Sequence, residues 1–289
     1  MEYILSNQTE IFGNIFYSTI IGFLLLELLI PFRANAGEYT RPRWFNNILL
    51  GGLNTFLVRF LFPVSTIGIA ALVEEYQFGF LNNVLIYPAI EVIIVFIIID
   101  LAGYLFHKAL HTYSLLWRFH LVHHSDLEVD VTTSLRHHIV EALMQAMLIA
   151  ILILLLGAPV ISIFLYHVAH SFISIFSHAN IRLPSSIDRI LRLTIITPDF
   201  HRIHHSADKR YTNSNYGNVL TWWDYLFASY QTRTQDNQES MMLGLEYYRS
   251  NREQIIDRLI TQPFRYPKIK SVQNLVKGTE APPFIEKSL

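Results

Sequence analysis

The sequence predicts an all-α protein, an integral membrane bundle of four to five spanning helices with a helical cap on the cytoplasmic side. The 289 residues are 52% hydrophobic and only 16% charged, and the mean hydropathy is +0.31, which is too apolar for an ordinary soluble domain. Several apolar runs are long enough to cross a hydrocarbon layer about 30 Å thick. All 13 histidines lie in one window, from His107 to His205.

The first two apolar runs predict the entry into the membrane. Residues 11–31 form the first run, and Arg33, Arg41 and Arg43 follow it. Because short basic loops stay in the cytoplasm, we expect this loop on the cytoplasmic side and the N-terminus outside. Residues 47–72 form a second run that glycines and a proline interrupt. That run is either one tilted span or a span followed by an interfacial piece.

The remaining runs divide the chain into three regions. Residues 84–106 form a third span that returns to the cytoplasm and ends directly before His107. Residues 139–176 form a helical hairpin around Gly157, and whether it crosses the membrane completely is left open. We expect a spanning region, a catalytic region that contains the hairpin, and a cytoplasmic C-terminal extension, with boundaries at 1–106, 107–231 and 232–289.

Composition excludes several functional classes. The formal net charge is −1, so the chain has no basic field that would attract nucleic acid. Cysteine is absent, which excludes disulfides, iron–sulfur clusters and thiol catalysis. A metal ion would therefore have nitrogen and oxygen ligands, which suit iron, zinc, manganese, copper or nickel.

The histidine spacing indicates a metal centre. Three short motifs, called histidine boxes below, place imidazoles three or four residues apart, where they share one face of a helix. The boxes are His107 and His111; His120, His123 and His124; and His201, His204 and His205. A structural zinc site uses three or four ligands, so this many imidazoles predicts two ions that share them.

Further residues are candidates for the same site. Asp100 lies on the face of His107 at the end of an apolar span, where an unpaired charge is costly, and we expect it to accept the free N–H of a ligating histidine. His138 and Glu141 are three residues apart and can pair. For His137 and His167 the simpler interpretation is a packed or hydrogen-bonded side chain. The predicted catalytic residues are Asp100 and the eight box histidines. The predicted metal ligands are His107, His111, His120, His123, His124, His138, His170, His178, His201, His204 and His205.

The sequence resembles the fatty acid hydroxylase / sterol desaturase superfamily between residues 100 and 230. The three boxes, the segment IDLAGYLFHKALH before and through the first box, and WRFHLVHHSD around the second carry the resemblance. Arg136, His138 and Glu141 match an R-x-H-x2-E pattern, and HANIRLP matches H-x-N-x3-P. The segment NYGNVLTWWDYLFASY is similar to the signature after the third box, but has Ala228 and Ser229 where glycine and threonine are usual.

The resemblance implies a membrane-bound di-iron oxygenase that hydroxylates or desaturates a C–H bond of a lipid, either a sterol, a fatty acyl chain or a related molecule. It implies two iron ions, with zinc as a possible substitute, and the partners O2, a membrane lipid and a separate electron donor of the ferredoxin or cytochrome type. The apolar runs and the basic loop charges predict a multi-pass membrane protein with the active site on the cytoplasmic face. The compact size and the absence of an obvious retrieval signal favour the bacterial inner membrane over the endoplasmic reticulum. No nucleic acid partner is expected.

Two alternatives remain at this stage. A histidine–metal site at a membrane can also activate water, which would make the chain a lipid hydrolase. A metal transporter is the second alternative, but transporters place their ligands near the membrane midplane, whereas these boxes lie at helix ends. Dependence of the reaction on O2 separates an oxygenase from a hydrolase, and metal flux into vesicles would reveal a transporter.

Overall fold

The computed structural model describes residues 7–34, 40–62, 64–232 and 238–265. Within these ranges the chain is helical, and the only β-type contacts are isolated bridges such as the one between Ile195 and Leu220. The long helices are α1 (Gln8–Leu29), α2 (Thr40–Leu61), α3 (Thr66–Glu75), α4 (Pro88–Thr112), α5 (Ser114–His124), α6 (Ile139–Leu156) and α7 (Val160–His178). The all-α prediction is confirmed.

Five stretches are long and apolar enough to cross a membrane: α1, the stretch from α2 through α3, α4, α6 and α7. The second apolar run is two helices rather than one, because α2 ends at Leu61 and α3 begins at Thr66. Ser65 caps α3, since its side chain accepts a hydrogen bond from the N–H of Gly68. Helix α3 packs against α6 and α7. The predicted four to five spans therefore agree with the observed helices.

The hairpin of α6 and α7 turns at the end of the bundle opposite the histidines. Gly157 ends α6 with φ +73°, and Pro159 precedes α7. Gly79, with φ +97°, lies so close that an added Cβ would stand 2.3 Å from the Gly157 nitrogen. The N–H of Phe80 donates to the Leu155 carbonyl at 3.0 Å. The loop after α3 and the hairpin turn therefore lie together.

Short helices form the cap at the histidine end. They are α8 (Ser185–Leu191), α9 (Pro198–His204), α10 (Lys209–Thr212), α11 (Trp222–Leu226) and α12 (Ile256–Thr261), with 3₁₀ turns at Val131–Leu135, Asn251–Gln254 and Gln262–Arg265. The 3₁₀ turn Leu81–Asn83 lies at the other end of the bundle, beside Gly157. Helix α9 begins at a strong start signal, because Thr197 accepts from the N–H of Phe200 and Pro198 occupies the first turn. This helix carries the third histidine box.

The predicted regional boundaries stay predictions, but the fold shows what crosses them. Helix α4 runs through the first boundary and carries His107 and His111 in its last two turns. Part of the predicted C-terminal extension packs on the cap: the Arg33 guanidinium donates to the carbonyls of Gln238 and Met241. Helix α12 contacts α2. Residues 233–237 and 266–289 of that extension lie outside the described residues.

Candidate metal centre

Five histidines from three helices converge at the cap end of α4, and we call them the first histidine group. One ring nitrogen of each lies within 4.8 Å of the corresponding nitrogen of every other member. Helix α4 contributes two members, α5 two and α9 one. The members are His107, His111, His120, His124 and His204.

Ring tautomers can be assigned in this group because carbonyl oxygens only accept hydrogen bonds. Nδ1 of His107 lies 2.9 Å from the Tyr216 carbonyl oxygen, and Nδ1 of His204 lies 2.7 Å from that of Ser214. Both Nδ1 atoms therefore carry the proton, and both Nε2 atoms present a bare lone pair. These two Nε2 atoms are 3.1 Å apart, and Nε2 of His120 is also 3.1 Å from that of His107. Such lone pairs repel each other unless a cation lies between them.

The second histidine group contains four members: His123 of α5, His178 of α7, His201 of α9 and the following His205. Its Nε2 atoms form a chain of 3.1–3.2 Å contacts from His123 through His178 and His201 to His205. Nδ1 of His178 donates to the Ser174 carbonyl at 2.7 Å, and Nδ1 of His123 to that of Arg136 at 3.1 Å. The Nε2 atoms of His123 and His178 are therefore unprotonated, with their lone pairs free to bind a metal ion.

Both groups fit a metal ion. Two nitrogens that each lie about 2.1 Å from one ion are separated by roughly 3.0–3.4 Å, and the neighbouring Nε2 atoms described above, at 3.1–3.2 Å, have this separation. Buried ring nitrogens without any hydrogen-bond partner are a second sign. Both nitrogens of His124, Nε2 of His111 and Nδ1 of His201 and His205 are in this state. A buried polar atom without a partner is unusual in a folded protein, and metal ligation would account for the free Nε2 atoms.

Five histidines of the two groups are neutral at pH 7, and the neutral imidazole is the form that binds a metal ion. Burial, and after it the neighbouring imidazoles, hold the pKa of each well below the ordinary 6.5. This applies to His123, His124, His201, His204 and His205.

The loop of residues 213–217, called the bracing loop below, holds the first group. It supplies the carbonyls of Ser214 and Tyr216 described above. Asp224 fixes this loop by accepting hydrogen bonds from the backbone N–H groups of Tyr216 and Gly217 at 2.8 and 2.7 Å. Burial raises the pKa of Asp224 to about 6. Asp224, which forms no hydrogen bond to a histidine of the group, therefore helps to set the orientation of two of its rings through the bracing loop.

Asp100 has a different role from the one predicted. Its carboxylate accepts from the backbone N–H groups of Val219 and Leu220 and from Nε1 of Trp223, and its partners among the described residues include no histidine. The prediction that it orients a ligand directly is therefore wrong. Asp100 instead ties α4 to the chain just after the bracing loop, and its effect on the histidines is indirect.

Glu141 orients the second box from the opposite side. Its Oε1 atom accepts from Nδ1 of His120 at 2.9 Å and from Nδ1 of His137 at 3.0 Å. The His137 ring also stacks on His123, with centroids 4.5 Å apart. His120, His137 and Glu141 lie close enough together to be ligands of one ion. The contacts of Glu141 with the two histidines are hydrogen bonds, however. The predicted partner of Glu141 was His138, whereas the structure pairs it with His120 and His137.

The structure brings nine of the eleven predicted ligands together and places His138 and His170 elsewhere. His138 caps α6, because its Nδ1 accepts from the N–H of Val140, and its Nε2 contacts the Ile260 carbonyl. His170 lies two turns before His178 and stacks on Tyr166. His167 hydrogen-bonds to Thr66. We therefore leave these three out of the proposed ligand set.

A cavity of about 80 Å³ adjoins both groups. Histidines of the two groups form one part of its wall, namely His107, His120, His123, His178 and His201. Residues of α4, α6 and α7, which are candidate spans, form most of the rest of the wall. The cavity therefore lies between the histidine groups and the candidate spans.

The family profile described as fatty acid hydroxylase matches residues 92–229, which contain every member of both groups. The chain belongs to the fatty acid hydroxylase superfamily. The expected resemblance is thereby confirmed. The matched residues begin in the second turn of α4 and end at Ser229, within the segment NYGNVLTWWDYLFASY.

Curated relatives of this superfamily member act on lipids. It is 29% identical to the ornithine lipid hydroxylase OlsE of Rhizobium tropici, over 76% of this chain and 66% of that protein. It is 25% identical to the alkylglycerol monooxygenase of Homo sapiens, over 53% of this chain and 32% of that protein. A very-long-chain aldehyde decarbonylase, GL1-4 of Oryza sativa subsp. japonica, is 30% identical over 51% of this chain and 25% of its own. The chain thus spans less than two thirds of these relatives. No solved structure matches it significantly.

The signature of this fatty acid hydroxylase superfamily member now has a physical explanation that spacing alone did not supply. Asn215 has φ +55° and links the carbonyls of Phe200 and Gln231 through its side-chain amide. Gly217 has no room for a Cβ, which would lie 2.5 Å from the Ile196 side chain. Ala228 has φ +53°, a conformation that favours the glycine usual there. The bracing carbonyls themselves leave no side-chain signal in the sequence.

Proposed function

We propose that this chain is a membrane-embedded lipid oxygenase that inserts one atom of O2 into a C–H bond. In the balanced reaction the second oxygen atom leaves as water, and an external donor supplies two electrons and two protons. The observation that carries the proposal is the convergence of unprotonated Nε2 atoms in two adjacent groups beside a cavity walled by spans. The relatives named hydroxylase and monooxygenase support oxygen insertion.

Iron is the proposed metal, held by the nine histidines of the two groups, and it would supply the O2 chemistry. The chain's own residues do the rest. Carbonyls of Ser214, Tyr216, Ser174 and Arg136 fix which ring nitrogen is free. The burial of the histidines excludes bulk water, which limits side reactions. Zinc suits the same nitrogen ligands and is a plausible substitute in purified protein.

The remaining proposals concern location and partners. We place the histidine end in the cytoplasm because Arg33, Arg41 and Arg43 lie at that end of the spans. We favour a bacterial inner membrane because the rhizobial enzyme aligns over 76% of the chain. The electron donor is proposed to be a separate protein of the ferredoxin or cytochrome type. A membrane lipid and O2 are the proposed substrates.

Isotope labelling tests the proposed reaction. Purified protein in lipid vesicles, supplied with iron, a reductant with a ferredoxin, and ¹⁸O2, should form lipid products that carry one ¹⁸O atom. The same product should be absent without O2 and after chelation of the metal. A product whose oxygen comes from water would instead indicate a hydrolase. Transport of metal ions into the vesicles, without any oxidised lipid, would indicate a transporter.

A further inference from the structure

Three polar residues of the cavity wall have no part in either histidine group or its braces. Gln145 lies on α6, His170 on α7, and Asn218 directly after the bracing loop, and all three line the cavity. Gln145 is one helical turn beyond Glu141, and His170 is two turns before His178. With a rise of 1.5 Å per residue, they stand about 6 and 12 Å further into the spanning part of the bundle.

Asn218 reaches the cavity because α4 has no side chain where the two meet. A Cβ added to Gly103 would lie 2.3 Å from Nδ2 of Asn218. Gly103 is one turn before His107 and also lines the cavity. The Asn218 amide therefore packs directly on the α4 backbone, on the membrane side of the histidines.

Among the residues that the structure describes, none of the three forms a hydrogen bond through its side chain. His170 stacks on the Tyr166 ring, with the ring centroids 5.8 Å apart. Polar side chains within spanning helices are costly and are usually functional. All three side chains are half-buried, so their polar atoms are not among the fully buried atoms that lack a partner. A group that enters the cavity can therefore form hydrogen bonds with them.

We propose that Gln145, His170 and Asn218 form a polar subsite that binds an uncharged hydrogen-bonding linkage of the lipid, namely an ether, ester or amide. The inference rests on the proposed oxygenase function and adds the substrate class. Two amides and an imidazole offer both donors and acceptors. The one carboxylate of the cavity wall, Glu141, is bound to His120 and His137. A neutral linkage therefore matches the subsite better than a charged one.

The subsite also determines which carbon is oxidised. A hydrocarbon chain alone slides in an apolar channel, because hydrophobic contact is not directional. A linkage bound by the subsite fixes the chain at one position relative to the histidines. The oxidised carbon is then counted from the linkage and not from the methyl end of the chain.

Product analysis with chains of different length tests this inference. The enzyme in vesicles is supplied with ether, ester and amide lipids, each with saturated chains of three lengths, together with a total lipid extract of the expression host. Tandem mass spectrometry then locates the oxidised carbon in every product. We expect a fixed number of bonds between the linkage and that carbon at all chain lengths. A position that stays fixed from the methyl end, or products scattered along the chain, would overturn the inference.

Variants assign the effect to the subsite. Gln145→Met, His170→Phe and Asn218→Leu keep side-chain size approximately and remove the hydrogen-bonding groups. Each should reduce the ratio of the main positional product to the others by about tenfold, with the metal content of the protein unchanged. Asn14→Leu is the matched control, because Asn14 is an exposed amide on α1, and its product ratio should equal that of the parent protein. Unchanged ratios in all three subsite variants would overturn the inference.

Two further outcomes separate this inference from the proposed function. If the parent protein oxidises no lipid at all, the proposed oxygenase function fails. If it oxidises lipids that lack any ether, ester or amide linkage as efficiently as those that have one, the oxygenase stands and the subsite fails. A variant that does not fold leaves the chain-length comparison on the parent protein to decide.

Discussion

The two histidine groups are similar in burial and spacing but differ in what holds them. In the first group, Nδ1 atoms of two members donate to carbonyls of the bracing loop, which Asp224 fixes from eight and seven residues away. In the second group, His178 donates to Ser174 of its own helix, and His123 to the turn before α6. The first group therefore depends on the bracing loop and on Asp224, whereas the second depends on a carbonyl of the His178 helix and on the Arg136 carbonyl before α6.

Removal of one ligand from either group should have the largest effect. His204→Ala in the first group and His201→Ala in the second should each reduce lipid oxidation by at least about a hundredfold, because two ions that act together cannot replace each other. Product formation with ¹⁸O2 is the measurement. If one of the two variants kept the parent rate, only the other group would be required, and the equal roles of the groups would be disproved.

Asp224→Asn should distinguish the groups. The substitution replaces one carboxylate oxygen of Asp224 by an NH2 group. That group cannot accept a hydrogen bond from the N–H of Tyr216 or Gly217, so the bracing loop loses one hydrogen bond. Loss of an outer contact to a ligating histidine reduces metal affinity by about 10–100-fold, and we expect this for the first group alone. Titration with Fe²⁺ should show one weakened site and one normal site. Asp257→Asn, at an exposed carboxylate of the cap, is the control and should show two normal sites.

Acid should weaken the first group before the second. Asp224, with a pKa of about 6, takes up a proton as the pH falls through that value, and the bracing loop then loses part of its acceptor. Because this folded-state pKa is raised above 3.8, proton uptake between about pH 6 and 4 stabilises the folded chain, so unfolding does not mimic the effect. Between pH 7 and 5.5 the metal affinity of the first group should fall severalfold more than that of the second group. Equal weakening of both sites would contradict the comparison.

Ala228→Gly should give the smallest change. Ala228 has φ +53° in the turn that leads to Ser229, and Ser229 donates to Asp224 at 2.7 Å. Glycine adopts this conformation without steric cost, so the free energy of unfolding should rise by about 1 kcal/mol. Thermal denaturation in detergent is the measurement, and Ala207→Gly is the control that should not stabilise. A lower stability of Ala228→Gly would show that this turn is not strained.

Much of the fold could be predicted because its signals are local. The apolar run 139–156 and the observed α6 have the same bounds, since Gly157 and Pro159 end one helix and start the next. Histidine spacing likewise placed the members of each box on one face of a helix. For residues 47–72 the sequence left two alternatives, one tilted span or a span followed by an interfacial piece. The proline and glycines of this run interrupt the apolar pattern, but they do not determine the geometry of the break between α2 and α3.

The parts that could not be predicted depend on contacts between distant segments. Asp100 and the groups that donate hydrogen bonds to it are separated by at least 119 positions, so the face it shares with His107 suggested a partner that the fold does not provide. His138 fits the spacing of a ligand, yet its ring is used to cap α6. The division of the box histidines is also tertiary: His123 and His124 are neighbours in sequence but belong to different groups.

Each histidine group is proposed to hold one metal ion. Metal analysis of purified protein, loaded with iron and washed free of excess, tests it most directly. We predict two ions per chain in the parent protein, one in His204→Ala, one in His201→Ala, and two in His138→Ala, whose histidine is a helix cap. A single ion in the parent protein, or two ions retained in both His204→Ala and His201→Ala, would contradict the account.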